Sequence, residues 1–226
     1  MLKALIFDVD GTLAETEEAH RQAFNETFAD MGIGWSWDKE LYRELLKTTG
    51  GKERMAAYQI LLGTAELSTR EIAKIHVQKT AKYAELLAQG KLELRLGVAD
   101  TIQKARDAGL KIAIATTTNT PNVEALCQCC WSKPATEVFD HIAAGDMVLN
   151  KKPAPDVFLL ALEQLGLNAD DCIAFEDSRN GVLSAKGAGL RVLTTPSWYT
   201  ANDDFSDAEW VFDSLQDTGA QGVLFK

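Results

Sequence analysis

Apolar and polar positions form blocks along the chain, and the blocks predict two kinds of structure. Short apolar runs that end in polar residues predict buried strands. The runs are residues 4–7, 110–115, 139–144, 172–175 and 190–193. Between them, apolar residues recur at helical spacing, as in 98–108 and 156–165. Strands that alternate with helices predict an α/β fold whose parallel sheet is covered on both faces.

Residues 15–91 differ, because their apolar positions follow helical spacing throughout. Their helices are predicted to start near Thr16, Asp38, Lys52 and Ser68. Thr16 is expected to cap the first helix, as Thr120 is expected to cap the helix that begins with Pro121. We therefore expect a discontinuous, Rossmann-like α/β core, residues 1–14 and 92–226, with residues 15–91 inserted as a helical cap domain.

Composition narrows the range of partners. Hydrophobic residues make up 46% of the chain and charged residues 25%, which is ordinary for a globular protein. The 33 Asp and Glu outnumber the 23 Lys and Arg, and the net charge of -10 argues against nucleic acid and anionic membranes. Neither a signal-peptide core nor an apolar run of about 20 residues occurs. The sequence predicts a cytoplasmic protein; it leaves the oligomeric state open, and a monomer is compatible with it.

Three of the four cysteines lie close together, at Cys127, Cys129 and Cys130, and the fourth is Cys172. This spacing lacks the paired Cys-x-x-Cys motifs of structural zinc sites. Free cysteine is among the most buried residue types, so buried, reduced thiols are expected.

The first apolar run ends in Asp8 and Asp10. Because side chains alternate along an extended chain, both carboxylates are expected on the same side of the sheet edge. Two like charges disfavour each other's ionisation, and a bound divalent metal ion relieves this repulsion. Gly11 allows a sharp turn beside the site. The run therefore predicts a metal site, and the alternative is an acidic turn after an edge strand.

Other polar residues follow the predicted strands at the edge where α/β proteins bind ligands. Thr116 offers a hydroxyl near backbone amides at a helix start, which suits phosphate oxygens. Lys152, in a loop bounded by prolines, can neutralise phosphate charge. Glu176 and Asp177 offer the hard oxygen donors that Mg²⁺ prefers. Each has an ordinary interpretation as a cap, turn or solvated charge, but their shared location favours one site.

The run Asp8–Thr12, Thr116, Lys152 and the pair Glu176–Asp177, in this order, resemble the four motifs of the haloacid dehalogenase-like hydrolase superfamily. The helical insertion after the first motif is similar to the cap of its phosphoglycolate phosphatase and β-phosphoglucomutase branch. The resemblance implies a phosphatase that acts on a small sugar phosphate.

The resemblance also implies roles for these residues. Asp8 would attack phosphorus and form an aspartyl phosphate, while Asp10 would act as general acid and base. Mg²⁺ would be held by Asp8, the Asp10 carbonyl, Glu176 and Asp177. Thr116 and Lys152 would offset the charge of the phosphate group. The second aspartate and the metal carboxylates argue against dehalogenation at carbon.

The cap is expected to select the substrate. Lys52 and Arg54, behind the bend Gly50–Gly51, are placed to meet a second phosphate group. The alternative is a solvated helix start. The remaining candidates for substrate binding are Glu17, His20, Tyr42, Thr117, Thr118, Asn119 and Arg179. In related caps a histidine at the position of His20 helps to place the acid-base aspartate, although His20 could also be an ordinary surface residue, and Tyr42 could serve only cap packing.

Within the branch, the cap loop and the segment 176–181 are most similar to the Calvin-cycle phosphatases of sugar bisphosphates. This implies hydrolysis of xylulose 1,5-bisphosphate to xylulose 5-phosphate. The alternatives are phosphoglycolate hydrolysis, phosphoryl transfer of the β-phosphoglucomutase type, and a catalytically silent binding protein. His76 and His141 are expected to be structural.

Overall fold

A parallel sheet forms the centre of the computed structural model, which describes residues 2–64 and 66–225. The strands are β1 (Ala4–Phe7), β2 (Lys111–Ala115), β3 (His141–Ala143), β4 (Cys172–Glu176), β5 (Arg191–Thr194) and β6 (Trp210–Val211). In the described part of the chain they form one six-stranded sheet in the order β3-β2-β1-β4-β5-β6. All neighbouring strands are parallel, which confirms the predicted α/β class.

Helices cover both faces of this sheet. They are α5 (Val98–Asp107), α6 (Thr120–Trp131), α7 (Ala135–Val138), α8 (Asp156–Leu165), α9 (Arg179–Gly187) and α10 (Thr218–Leu224). Alternation along β1 sends Leu5 and Phe7 to the face covered by α5 and α6, and Ala4 and Ile6 to the face covered by α8 and α9. The central strand is therefore buried on both sides, as its continuous apolar run predicts.

Among the described residues between β1 and α5 there are four α-helices: α1 (Glu17–Asp30), α2 (Lys39–Leu45), α3 (Gly51–Leu61) and α4 (Thr69–Leu87). They enclose an apolar cluster of their own, which we call the aromatic cluster. Its aromatic members are Phe24, Phe28, Trp37, Tyr42, Tyr58 and, from the loop after β5, Tyr199. Tyr83 and Leu87 of α4 instead pack against the sheet-side core. The predicted domain boundaries at 14/15 and 91/92 stay a prediction.

Several local expectations hold. Ser68 and Glu71 form the predicted capping box at the start of α4. The four cysteines are free, with Cys127 and Cys172 buried and Cys129 and Cys130 partly buried. Among the described residues, no helix is both long and apolar enough to cross a membrane.

Two predicted caps differ from the structure. Thr16 does occupy the N-cap position of α1, but it has helical backbone angles and makes no capping hydrogen bond, because its hydroxyl donates to Asp10. Asn119, one residue before the predicted position, caps α6 by accepting from the amide of Asn122. The helices α7 and α10 lie in segments whose hydrophobic pattern is too weak to predict them.

Candidate active site

The polar residues that follow three neighbouring strands meet at one edge of the sheet. In the sheet register Phe7 lies beside Ile114 of β2 and Phe175 of β4. The residues that follow, Asp8 and Thr116, and the pair Glu176–Asp177 are therefore brought together at the carboxyl ends of the strands. All four are buried.

Lys152 lies at the centre of this group, with 4% of its surface exposed. Its amino group donates to Asp8 Oδ1 and to Glu176 Oε1, both at 2.6 Å, and to the carbonyl of Ala115 at 2.9 Å. Buried charged groups are stable only when they are paired in this way. The predicted neighbourhood of Lys152 and Asp8 is thus present as a direct ion pair.

One ammonium group faces three buried carboxylates, and this imbalance shifts their pKa values. Burial raises the pKa of Asp8 to about 8 against the effect of Lys152, and the charges of Glu176 and Asp10 raise it further. Burial, followed by the charges of Asp8 and Glu176, raises the pKa of Asp177 well above its usual range. More positive charge is needed to keep all three carboxylates ionised near neutral pH.

A divalent cation fits this donor set. Asp8, Glu176 and Asp177 each offer a carboxylate oxygen, and these atoms lie within 4.8 Å of one another. Hard oxygen ligands of this kind suit Mg²⁺. The side chain of Asp10 is not in the group, so the expectation that Asp8 and Asp10 share one metal through paired carboxylates is wrong. The Asp10 carbonyl stays a predicted ligand.

Two glycines lie against these carboxylates, where a larger residue would clash with them. A Cβ atom at Gly181, on α9, would lie 1.9 Å from Glu176 Oε2. One at Gly11, whose φ is +83°, would lie 2.2 Å from Asp177 Oδ2. Gly11 is thus needed both for its turn and for the approach of a carboxylate.

Asp10 has a separate set of partners, which come from the helical segment. Its Oδ1 accepts from the hydroxyl of Thr16 at 2.6 Å and lies 3.0 Å from His20 Nε2. The amino group of Lys79 lies 2.6 Å from His20 Nδ1, and the imidazole stacks on Tyr83 with ring centres 4.0 Å apart. Burial acts to raise the pKa of Asp10, but His20, Thr16 and Lys79 lower it to about 2.

A cavity of about 710 Å³ lies between the sheet edge and helices α1 to α4. The predicted site residues on its wall are Asp8, Asp10, Glu17, His20, Gly50, Gly51, Lys52, Arg54, Thr117, Thr118, Asn119, Lys152, Asp177 and Arg179. Residues of the first, third and fourth motifs and residues of the helical segment therefore face one cavity, in which a small molecule can contact both.

Arg54 is held rigidly at the wall, with 7% of its surface exposed. Its Nε atom donates to the carbonyls of Leu45 and Thr48, and Nη1 donates to the hydroxyl of Tyr42. That hydroxyl donates in turn to Glu17 Oε2 at 2.9 Å. Tyr42 is fully buried, so the expectation that its hydroxyl reaches the substrate is wrong; it orients two residues that line the cavity.

The loop after β2 presents Thr117, Thr118 and Asn119 to the cavity. Thr116 itself lies beneath it, 1% exposed, and its hydroxyl accepts from the amide of Thr118 at 3.2 Å. Helix α6 begins only at Thr120, so the expectation that Thr116 lies at a helix start is wrong by four residues. Thr116 supports the loop whose other members face the cavity.

Arg179 lies at the rim and is partly exposed. Its guanidinium donates to Asp204 Oδ2 at 2.6 Å, and its amide donates to Asp203. Arg179 lines the cavity, as expected of a substrate-binding candidate, but its guanidinium is already paired with Asp204. The neighbouring Asn180 donates to the carbonyl of Lys47, which joins this rim to the helical segment.

Pattern alone missed four contact residues of the site. Thr16 and Lys79 complete the hydrogen bonds around Asp10, but each occupies a position that helix patterning explains without reference to a ligand. His76, which was expected to be structural, lines the cavity. Tyr199 reaches the aromatic cluster from a distant loop. The one signal in the sequence is the position of Lys79 on the predicted buried face of its helix. A buried charge needs a partner, so this position indicates a polar contact.

Comparisons with known proteins agree with this geometry. Residues 2–189 match the family model of the haloacid dehalogenase-like hydrolases. The chain is 57% identical to the protein CbbY of Rhodobacter capsulatus, over 98% of this chain and 97% of that protein. It is 52% identical to CbbY of Cereibacter sphaeroides, over 99% of this chain and 97% of that protein.

Solved structures give the same result. The crystal structure of CbbY from Rhodobacter sphaeroides in complex with phosphate superposes with a TM-score of 0.93 at 52% identity, covering 99% of both chains. A mutant of that protein, in complex with xylulose-(1,5)bisphosphate, also superposes with a TM-score of 0.93, at 51% identity and 99% coverage of both. A β-phosphoglucomutase from Clostridium difficile, at 20% identity and a TM-score of 0.82, shares the fold.

Proposed function

On the premise that this chain belongs to the haloacid dehalogenase-like hydrolases and is a sugar-phosphate phosphatase, we propose that it hydrolyses xylulose 1,5-bisphosphate to xylulose 5-phosphate. The observation that carries the proposal is the composition of the cavity wall. Asp8 and Asp10 lie on one side of it, and Lys52 and Arg54 of α3 on another. A substrate with a phosphate group at each end matches this division of charge.

The proposed reaction begins at Asp8. A carboxylate oxygen of Asp8 attacks phosphorus, the bond between phosphorus and the sugar oxygen breaks, and an aspartyl phosphate forms. The ammonium group of Lys152 donates hydrogen bonds to Asp8 and to Glu176, and its positive charge offsets the negative charge on Asp8. Lys152 stays protonated there, because the charges of Asp8 and Glu176 outweigh burial and keep its pKa above the ordinary value.

Asp10 carries the proton in both steps. Its low pKa keeps the carboxylate ionised in the free enzyme, and a phosphate dianion bound beside it raises that pKa, so that Asp10 can bring a proton to the leaving oxygen. In the second step the carboxylate takes a proton from water, whose oxygen attacks phosphorus and releases phosphate and free Asp8. Thr16 and His20 hold the carboxylate in place.

We further propose that Asp8, Glu176, Asp177 and the carbonyl of Asp10 hold Mg²⁺. When bound, the ion supplies positive charge to the transferring phosphate group and to the buried carboxylates. The buried cluster of three carboxylates supports this assignment. The helical segment, residues 15–91, would then act as the cap that closes over the substrate and excludes water.

The test is a phosphate-release assay with Mg²⁺ on a panel of phosphate esters. The panel contains xylulose and ribulose 1,5-bisphosphates, phosphoglycolate and β-glucose 1-phosphate with a trace of the 1,6-bisphosphate. We expect the highest kcat/KM with xylulose 1,5-bisphosphate. Formation of glucose 6-phosphate in place of free phosphate would identify a mutase, and a folded protein that releases no phosphate from any ester would identify a binding protein; either result contradicts the proposal.

A further inference from the structure

His76 lies on the wall of the cavity, on the same face of α4 as Lys79. The two residues are three apart, so His76 lies about 4.5 Å further along the helix axis. Lys79 bonds to His20, which lies 3.0 Å from Asp10. Hence His76 is the cavity-lining side chain of α4 next to Lys79, which contacts Asp10 through His20.

The backbone of the cap loop is shaped around the imidazole of His76. A Cβ atom at Gly51 would lie 2.8 Å from His76 Nε2, 2.9 Å from its Cδ2 and 3.1 Å from the ring of Phe24. Only a glycine at this position leaves the imidazole where it is. The bend Gly50–Gly51 and His76 therefore form one unit.

The charges around His76 are predominantly positive. Lys52 and Arg54 face it from α3 and Lys79 from α4, while the imidazole of His20 faces it from α1. Burial and these charges lower the pKa of His76 to about 3, so the free imidazole is neutral at pH 7. Of the acidic groups nearby, Glu53 folds over Gly50, and Glu17 accepts from Tyr42.

These groups have unused capacity for binding. His76 and Lys52 have no hydrogen-bond or ion-pair partner among the residues that the structure describes. Arg54, whose Nε and Nη1 atoms are occupied, also lines the cavity. In a protein with a net charge of -10, such a group of unpaired donors suits an anion.

We propose that His76 is a specificity-determining residue, whose imidazole binds the second phosphate group of the substrate together with Lys52 and Arg54. The inference rests on the proposed function and names the residue by which the enzyme prefers a bisphosphate. A phosphate dianion in contact with the imidazole favours its protonated form. Bisphosphate binding is therefore coupled to uptake of a proton by His76. A monophosphate leaves the second phosphate position empty and causes no proton uptake there.

The experiment compares kcat/KM for two substrates in the full chain with Mg²⁺. One is the sugar bisphosphate that the wild type hydrolyses best, and the other is p-nitrophenyl phosphate, which has a single phosphate group. We expect His76→Ala and His76→Asn each to lower the ratio of the two kcat/KM values at least tenfold, with the loss mainly in KM for the bisphosphate. Gly51→Ala, which displaces the imidazole, should lower the ratio in the same direction.

The matched control is His141→Gln, on β3, which should keep the wild-type ratio. Thermal unfolding of each variant verifies that the protein is folded. If His76→Ala is unfolded, the comparison is made with His76→Asn. A ratio within twofold of the wild type in a folded His76 variant overturns the inference and leaves the proposed function intact. Failure of the wild type to hydrolyse any sugar bisphosphate contradicts the proposed function itself.

Discussion

The amino group of Lys79 lies 2.6 Å from Nδ1 of His20, and both side chains are buried. An ammonium group can only donate, so Nδ1 accepts and Nε2 carries the proton that points to Asp10. The protonation state of a residue in the α/β core is thus set by two residues of the helical segment. Asp10, the proposed acid-base residue, therefore reaches this protonation state only when the helical segment is docked on the α/β core.

Lys79→Met should lower activity and raise stability. The buried ammonium is destabilising, since burial lowers its pKa to about 7, against the ordinary value of 10.5. Below pH 7 the cost of the charge is fully present; between pH 7 and 10.5 the unfolded chain binds more protons, so stability rises with pH. We expect the variant to have a higher Tm than the wild type at pH 6, by about 2–4 °C for each kcal/mol gained in the free energy of unfolding. At pH 10 the difference in Tm should be smaller.

Thermal unfolding at these two pH values is the measurement, combined with kcat for the bisphosphate, which should fall by roughly tenfold or more because Asp10 loses its oriented imidazole. Lys74→Met, on the exposed face of the same helix, is the control and should change neither quantity. An unchanged kcat in Lys79→Met would show that the lysine is dispensable for Asp10.

Asp8→Asn should abolish turnover without unfolding the protein. The amide has the shape of the carboxylate but is a poor nucleophile, so kcat should fall by roughly 10³-fold or more. Removing one of three buried negative charges should also stabilise the metal-free fold near pH 8, where Asp8 is ionised at an energetic cost. The measurements are phosphate release and thermal unfolding in EDTA. The control is Asp107→Asn on α5, and residual turnover close to the wild type would exclude Asp8 as the nucleophile.

Mg²⁺ should stabilise the protein more at pH 8 than at pH 5. The raised pKa of Asp8, about 8, means that the folded protein keeps a proton at pH 5 that the unfolded chain, near 3.8, does not. Stability of the metal-free protein therefore falls as the pH rises through this window, and a cation has most effect where the carboxylates are ionised. The rise in Tm on adding MgCl₂ after EDTA treatment measures this. An equal rise at both pH values would argue that Mg²⁺ binds away from these carboxylates.

Gly181→Ala should impair both stability and metal binding. The new methyl group would overlap the buried carboxylate of Glu176, and a shift of this carboxylate to relieve the overlap would disturb its hydrogen bond with Lys152. We expect at least a tenfold higher Mg²⁺ concentration for half-maximal activity. Gly222→Ala is the matched control: it lies in α10, and the added Cβ would meet no atom within 4 Å apart from its own helix backbone and chain neighbours, so alanine should stabilise that helix by up to about 1 kcal/mol. Equal behaviour of the two variants would contradict the prediction.

The sheet and the strand-end residues could be predicted because each depends on local pattern. The run before Asp8 is continuously apolar, and parallel strands bring their carboxyl ends to one edge whatever their order. The prolines around Lys152 indicate a loop at the same edge of the sheet. The hydrogen bonds of Lys152 to Asp8 and Glu176 agree with the expectation that these residues form one site.

The partners of Asp10 could not be predicted, because they depend on how α1 and α4 dock on the core. Thr16 has the pattern of a helix cap, and only the docked geometry shows its hydroxyl donating to Asp10. The same holds for the pairing of Arg179 with Asp204, which a long loop brings beside it. Contacts between distant segments leave no periodic signal in the sequence.

The adjacent residues Tyr199 and Thr200 reach opposite sides of the cavity. Tyr199 packs in the aromatic cluster and donates to Glu18, while the hydroxyl of Thr200 donates to the carbonyl of Asp177 at 2.6 Å and lies 3.1 Å from its Oδ2. A movement of α1 and α2 away from the sheet would pull on the same dipeptide that holds a proposed metal ligand. Opening of the cavity and ion affinity then share one thermodynamic cycle, in which a change that tightens ion binding through this dipeptide also shifts the equilibrium toward the closed enzyme.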